Sequence, residues 1–150
     1  MRPRDEGILI DEAINAFHAP AVWRMPTLPR HLEIKFDAYR EDQRSEAVDP
    51  RSVQARKTFN YGRGVYTVQI DQARGGKVWD VKFSRRSAED LIFHSLPQLI
   101  IGAYAFNLRL GGIINVRNYD TSRPVILKLE TTTKIGKLMK LVHEIIEVSL

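Results

Sequence analysis

Nine cations, Arg51, Arg56, Lys57, Arg63, Arg74, Lys77, Lys82, Arg85 and Arg86, fall between positions 51 and 86, where the only acids are Asp71 and Asp80. Six of the nine are arginine, whose planar guanidinium can hold a phosphate through two parallel hydrogen bonds. The chemistry on offer is therefore capture of an anion. Arg63, Arg74, Lys77, Lys82, Arg85 and Arg86 are the candidate residues for binding nucleic acid or anionic lipid, with Arg74 at a turn tip and Arg85-Arg86 just before a helix N-terminus. Of the interleaved aromatics, Tyr66, Trp79 and Phe83 fall on the apolar register and read as core, which leaves Phe59 and Tyr61 to stack on bases. Charges on half-exposed strands also serve solubility, so the functional reading requires these six to share one surface.

Charge is divided along the chain. Residues 1–50 hold 7 Lys/Arg against 10 Asp/Glu, whereas residues 51–150 hold 16 against 8. The basic part calls for an acidic partner: RNA or nucleoprotein, an anionic membrane surface, or an acidic protein.

Other chemistries lack their residues. Histidines 18, 31, 94 and 143 show no H-x-H or H-x-x-x-H spacing, so no metal is expected. There is no cysteine, which removes disulfides, thiolate metal sites and a thiol nucleophile, and suits an intracellular setting. No serine lies in a G-x-S-x-G elbow, and Gly62-Arg63-Gly64 lacks the third glycine and the lysine of a phosphate-cradling loop. Glu89/Asp90 and Glu144/Glu147 read as helix capping and solvated helix face rather than catalytic pairs. The expectation is a protein that is not an enzyme and carries no cofactor.

Periodicity predicts the elements that carry these cations. One globular domain is expected over 1–150, with an arm at 1–30 around one short helix and an α+β core at 31–150. At that size about 70% of the unfolded chain's surface can be buried. Ile8, Leu9, Ala13, Ile14 and Phe17 recur at helical spacing, and Pro20, Pro26 and Pro29 interrupt the next stretch of chain. Alternation over 32–38 predicts a half-buried strand, and 41–52 an exposed loop. Residues 66–70 and 79–83 alternate on either side of Ala73-Arg74-Gly75-Gly76, which predicts a hairpin. Ser87 with Asp90 predicts a capped helix over about 88–96, stopped or restarted by Pro97. Strands are expected at 104–110 and 113–116 around a Gly111-Gly112 turn, and another around Val125, Leu127 and Leu129. Ile135, Leu138, Met139, Val142, Ile145 and Ile146 make the last element a long amphipathic helix. Together these predict an antiparallel sheet with helices on one face rather than βαβ units. No apolar run approaches the ~20 residues that cross a bilayer, and no targeting signal stands out.

Pro26-Thr27-Leu28, Leu32-Glu33-Ile34 with Phe36, the strands around Tyr66-Thr67-Val68 and Val78 to Phe83, the helix after them and Phe106 to Leu110 resemble, in order and spacing, the small single-domain matrix proteins of bornaviruses. The resemblance covers about residues 25–110; the C-terminal third departs from it, and no P-P-x-Y motif stands near the N-terminus. It implies an α+β fold that self-assembles as a homo-oligomer, lies under a viral envelope, and binds RNA and acidic lipid through basic surfaces. It implies a place in the host cytoplasm, at the inner membrane face and in the virion. No functional residue is carried over from the family. The resulting expectation is a non-enzymatic basic assembly protein of viral matrix type, with an RNA or single-stranded DNA binding module, or an enzyme of unrecognised type, as alternatives.

Overall fold

Pro3 opens the first helix at the position where a missing N–H costs nothing, and Asp5 and Glu6 face the positive end of its dipole. This helix, α1 (Pro3–His18), buries Ile10, Ala13 and Ile14. The computed structural model describes residues 2–42, 47–119, 126–128 and 131–149. The chain after α1 is docked, with Trp23 packed against buried Ala19, Val48 and Val53.

The strand expected at 32–38 is instead the middle of a helix, α2 (Arg30–Asp42). Leu32, Phe36 and Tyr39 form its buried stripe at helical spacing, while Ile34 is 42% exposed. Leu32-Glu33-Ile34-Lys35-Phe36 satisfies both periods over five residues, and the longer helical register prevails because it meets α1. Arg30–Glu33 at 2.6 Å and Asp37–Arg40 at 2.9 Å add helical i,i+3 ion pairs. The loop expected at 41–52 is shortened by α2 and pinned by Val48, which bridges to Arg74, and by a 3-10 turn at Pro50–Ser52 capped by Asp49.

Two hairpins stand where one was expected. Strands β1 (Arg56–Tyr61) and β2 (Gly64–Gln69) pair around Gly62-Arg63 as a separate two-stranded sheet. The Gly75-Gly76 turn, with φ of 58° and 71°, joins the short β3 (Gln72–Arg74) to β4 (Lys77–Lys82). β2 therefore reverses onto β1, not onto β4.

Ser87 Oγ accepts from the Asp90 amide at 3.2 Å and starts α3 (Ala88–Phe106), which continues through Pro97. Pro97 and Phe93, whose carbonyl the proline ring leaves without its helical donor, both face solvent. Leu91, Leu99, Ile100 and Ala103 bury the opposite side and offset the interruption. The helix thus absorbs Tyr104 and Phe106, which the sequence pattern assigns to a strand, and ends at Asn107 with φ 55°.

A single strand, β5 (Arg109–Asn115), then runs parallel to β4. Gly111-Gly112 lies inside it and is not a turn. A Cβ on Gly111 would come within 2.5 Å of Trp79 Cε2 and 2.6 Å of the Val78 carbonyl, beside a bulge in the β4–β5 register. β6 (Ile126–Lys128) pairs antiparallel with β5, giving the order β3-β4-β5-β6. Val125 and Leu129, assigned to that strand by pattern, lie outside the described residues. The last helix, α4 (Ile135–Ser149), has 15 residues, so the long C-terminal helix expected from the stripe is not found; among the described residues α3 is longer at 19.

The architecture is α+β with a mixed sheet, one β4-α3-β5 crossover, and helices on both faces. Trp79, Val81 and Ile114 meet Ile10, Leu32, Phe36 and Tyr39 on the α1–α2 side. Val78, Leu110 and Ile113 meet Leu91, Ile100, Ala103, Met139 and Val142 on the α3–α4 side. Among the described residues no helix is long and apolar enough to cross a membrane.

One buried polar group fixes the loop after β4. Asn115, fully buried, donates from Nδ2 to the Ser84 carbonyl (3.0 Å) and accepts at Oδ1 from the Ser84 amide (3.1 Å). Asn115→Leu is expected to cost about 2–3 kcal/mol, because two backbone groups lose their partners. Urea melts with intrinsic fluorescence measure this; a loss under about 0.5 kcal/mol would mean that water replaces the amide without penalty.

Candidate phosphate-binding site

Parallel pairing of β4 and β5 sets Lys77 beside Arg109 at the start of both strands. The Gly75-Gly76 turn holds them there. Arg109 donates its amide to the Gly76 carbonyl at 2.9 Å and its Nη2 to the Gly75 carbonyl at 3.4 Å. The segment before α4 packs alongside, and Thr131, Thr133, Lys134 and Ile135 complete an open cavity of about 390 Å³ with Lys77, Arg109 and Leu110.

Three cations and two hydroxyl-bearing side chains line this cavity, and among the described residues no acid lines it. No acid stands in the first turn of α4 either. The Lys134 carbonyl accepts from the Lys137 and Leu138 amides, so the Ile135 and Gly136 amides precede the first helical bond. Helix end and side chains thus contribute charge of one sign at one place, as an anion requires.

The structure disperses the six residues singled out from sequence. Only Lys77 belongs to this cavity. Arg63 is exposed at the tip of the separate β1–β2 hairpin. Arg74 is not at an accessible tip: it is 5% exposed, with its guanidinium 4.5 Å from the Trp79 ring centroid, because β3 is covered on both sides. Lys82 lies 3.4 Å from Asp80, at the far end of β4, about 17 Å from Lys77 at the usual strand rise. Arg85 and Arg86 are exposed beyond that end, but Glu89 and Asp90 fill the first turn of the helix behind them and oppose an anion.

The remaining cations of the stretch are similarly dispersed. Lys57 donates to the Ala105 carbonyl near the end of α3 at 2.8 Å, and Arg56 to Gln69 at 3.1 Å. Phe59 and Tyr61 are half-buried, and their rings pack against other rings of the protein. Phe59 stacks on Tyr66 (5.5 Å, 16°), and Tyr61 packs edge-on against Tyr104 and His143.

Sequence reasoning missed Arg109, Lys134, Thr131 and Thr133. Arg109 was hidden by reading the adjacent glycines as a turn. The legible signal was the threonine run entering a helix whose first turn, Ile135-Gly136-Lys137, carries no acid.

Groups with displaced pKa values lie apart from this cavity. Burial, then the charge of Arg74, lowers His18 to about 4, so its imidazole stays neutral against the Tyr39 hydroxyl at 2.6 Å. Burial pushes Asp71 well above the usual carboxylate range, helped by its hydrogen bond to Asp80 and by the Asp80 charge. Its oxygens serve the fold, accepting from the Val81 amide at 2.7 Å and from Gln54 Nε2 at 3.2 Å. The cavity beside the two carboxyls holds about 20 Å³, room for a water and not for a substrate. Among the described residues no group of three His, Asp or Glu is placed to hold a metal.

A raised folded pKa means that the native state binds the Asp71 proton more tightly than the unfolded chain, so stability declines as pH rises from about 4 through the folded pKa. Asp71→Asn keeps an acceptor for Val81 and a donor for Asp80 without that proton. Relative to wild type it should gain stability over this window and then level off, read as a Tm difference of a few degrees that grows from pH 4 to neutral pH. A difference independent of pH would show that Asp71 titrates normally.

No protein-family model, no curated protein and no solved structure matches the chain.

Proposed function

We propose that this protein is a non-enzymatic basic assembly protein of viral matrix type, which self-associates and binds the phosphates of RNA or nucleoprotein and of anionic membrane surfaces. The cavity where Lys77, Arg109 and Lys134 meet, with no acid among the described residues that line it, carries the reading. Among the described residues its lining offers anion donors but no aromatic surface for a base, which favours phosphate over sequence. Of the displaced titratable groups, Asp71, His18, Tyr39 and Tyr119 serve interior hydrogen bonds, which supports binding rather than catalysis at those four; Asp11, raised to about 6 by burial, lies outside the phosphate cavity. Contact with an inner membrane face, in the cytoplasm or a virion, belongs to the same proposal.

Flotation with phosphatidylcholine vesicles, with and without phosphatidylserine, and with competing RNA tests it. Binding to acidic vesicles only, displaced by RNA, is the expected result. RNA affinity should fall with salt at a log–log slope of about −2 for three neutralised phosphates. Affinity for RNA alone would favour the module without a membrane role, and no binding to either at low salt would overturn the reading.

A further inference from the structure

We propose that two copies of the chain pair antiparallel through α4. Leu138 is half-buried against the core, while Leu141 and Ile145 are 53% and 66% exposed. Their 3-4 spacing is that of a coiled-coil seam lying beside the core-facing stripe of Met139, Val142 and Ile146. Two aliphatic side chains exposed in register at the seam of a helix otherwise lined by charge are an association surface.

Charge decides what covers it. Exposed Lys134 directly precedes α4, exposed Lys137 and Lys140 occupy its first half, and exposed Glu144 and Glu147 the second. Parallel copies would oppose lysine to lysine and glutamate to glutamate. Antiparallel copies, crossing near Leu141, set Lys137 of each against Glu144 of the other, twice by symmetry. Lys137 and Glu144 are one heptad apart, so both flank the seam on the same side, as this pairing needs. Glu147 already has His143 Nε2 at 2.9 Å and is not required.

One helix pair covers less than the ~800 Å² per partner of a tight dimer, so a dissociation constant in the micromolar range is expected. The inference deepens the self-association in the proposed function. Lys134 lies about two turns from the crossing, which would separate the two phosphate cavities by about 20 Å along the helix axis. A dimer would then engage a membrane or RNA at two points.

Sedimentation of the full chain across a concentration series tests the pairing directly. Lys137→Glu or Glu144→Lys alone should raise the dimer dissociation constant about tenfold or more, and the two together should return it to within about threefold of wild type. Leu141→Gln should leave a folded monomer, checked by circular dichroism. A wild-type chain that is monomeric at about 100 µM, or a double swap as weak as either single change, overturns the pairing. Because the readout is mass, a monomer that still floats with acidic vesicles would sink this inference alone.

Discussion

Lys77→Glu combined with Arg109→Glu should lower affinity for RNA and for acidic vesicles about 100-fold or more near physiological salt. Each basic side chain near an anionic surface contributes about 1 kcal/mol, and reversal both removes that attraction and adds repulsion. Two reversals therefore amount to about 3–4 kcal/mol, while 1.4 kcal/mol is a factor of ten. The salt slope should also flatten, since fewer counterions are released on binding. Lys77 is half-buried and Arg109 exposed, so neither substitution forces a charge into the core; circular dichroism and a melt verify folding. Arg85→Glu with Arg86→Glu is the informative comparison. Both of these side chains are exposed, but Glu89 and Asp90 already weaken the potential there, so a smaller loss is expected. Should that pair cost more than the Lys77 pair, the anion binds at the opposite end of β4.

The second large effect is on stability. Gly111→Ala should cost about 3 kcal/mol or more, from a total that for a domain of this size is about 5–15 kcal/mol. The added Cβ would meet Trp79 Cε2 at 2.5 Å, the Val78 carbonyl at 2.6 Å and Trp79 Nε1 at 2.7 Å. One of these is backbone in the paired β4, and the indole is held by the Arg74 guanidinium stacked on it. Neither can yield without disturbing the β4–β5 ladder that also positions Lys77 beside Arg109. Gly136→Ala supplies the contrast: its Cβ meets nothing within 4 Å in a helix, so stability should stay level or rise by up to about 1 kcal/mol. Urea melts of both variants decide the matter, and a Gly111→Ala protein within about 1 kcal/mol of wild type would show that the ring moves aside freely.

What the chain determined locally is visible in its punctuation and longest periods. The α1 pattern, the Ser87 cap, the Gly75-Gly76 reversal and the α4 stripe all read correctly, because each rests on interactions within a few residues: a dipole end, an orphan amide, a left-handed φ, one face of one helix. The failures share the opposite cause. Residues 32–38 fit two periods, and contact with α1 selects the helix. Pro97 stays inside α3 because the sheet takes up the other side of that helix. Gly111 marks the close approach of Trp79, a neighbour more than thirty positions away, rather than a bend in its own backbone.

The candidate site obeys the same division. A surplus of positive charge after position 50 is plain from residue counts, but which cations meet is a matter of strand pairing. Parallel pairing set Lys77 against Arg109, and the entry to α4 brought Lys134 to both. Burial removed Arg74, and the length of β4 carried Lys82, Arg85 and Arg86 to its far end. Chain composition set the sign of the charge, while only tertiary structure chose where it converges, because electrostatic potential depends on distance through space and not on separation along the backbone.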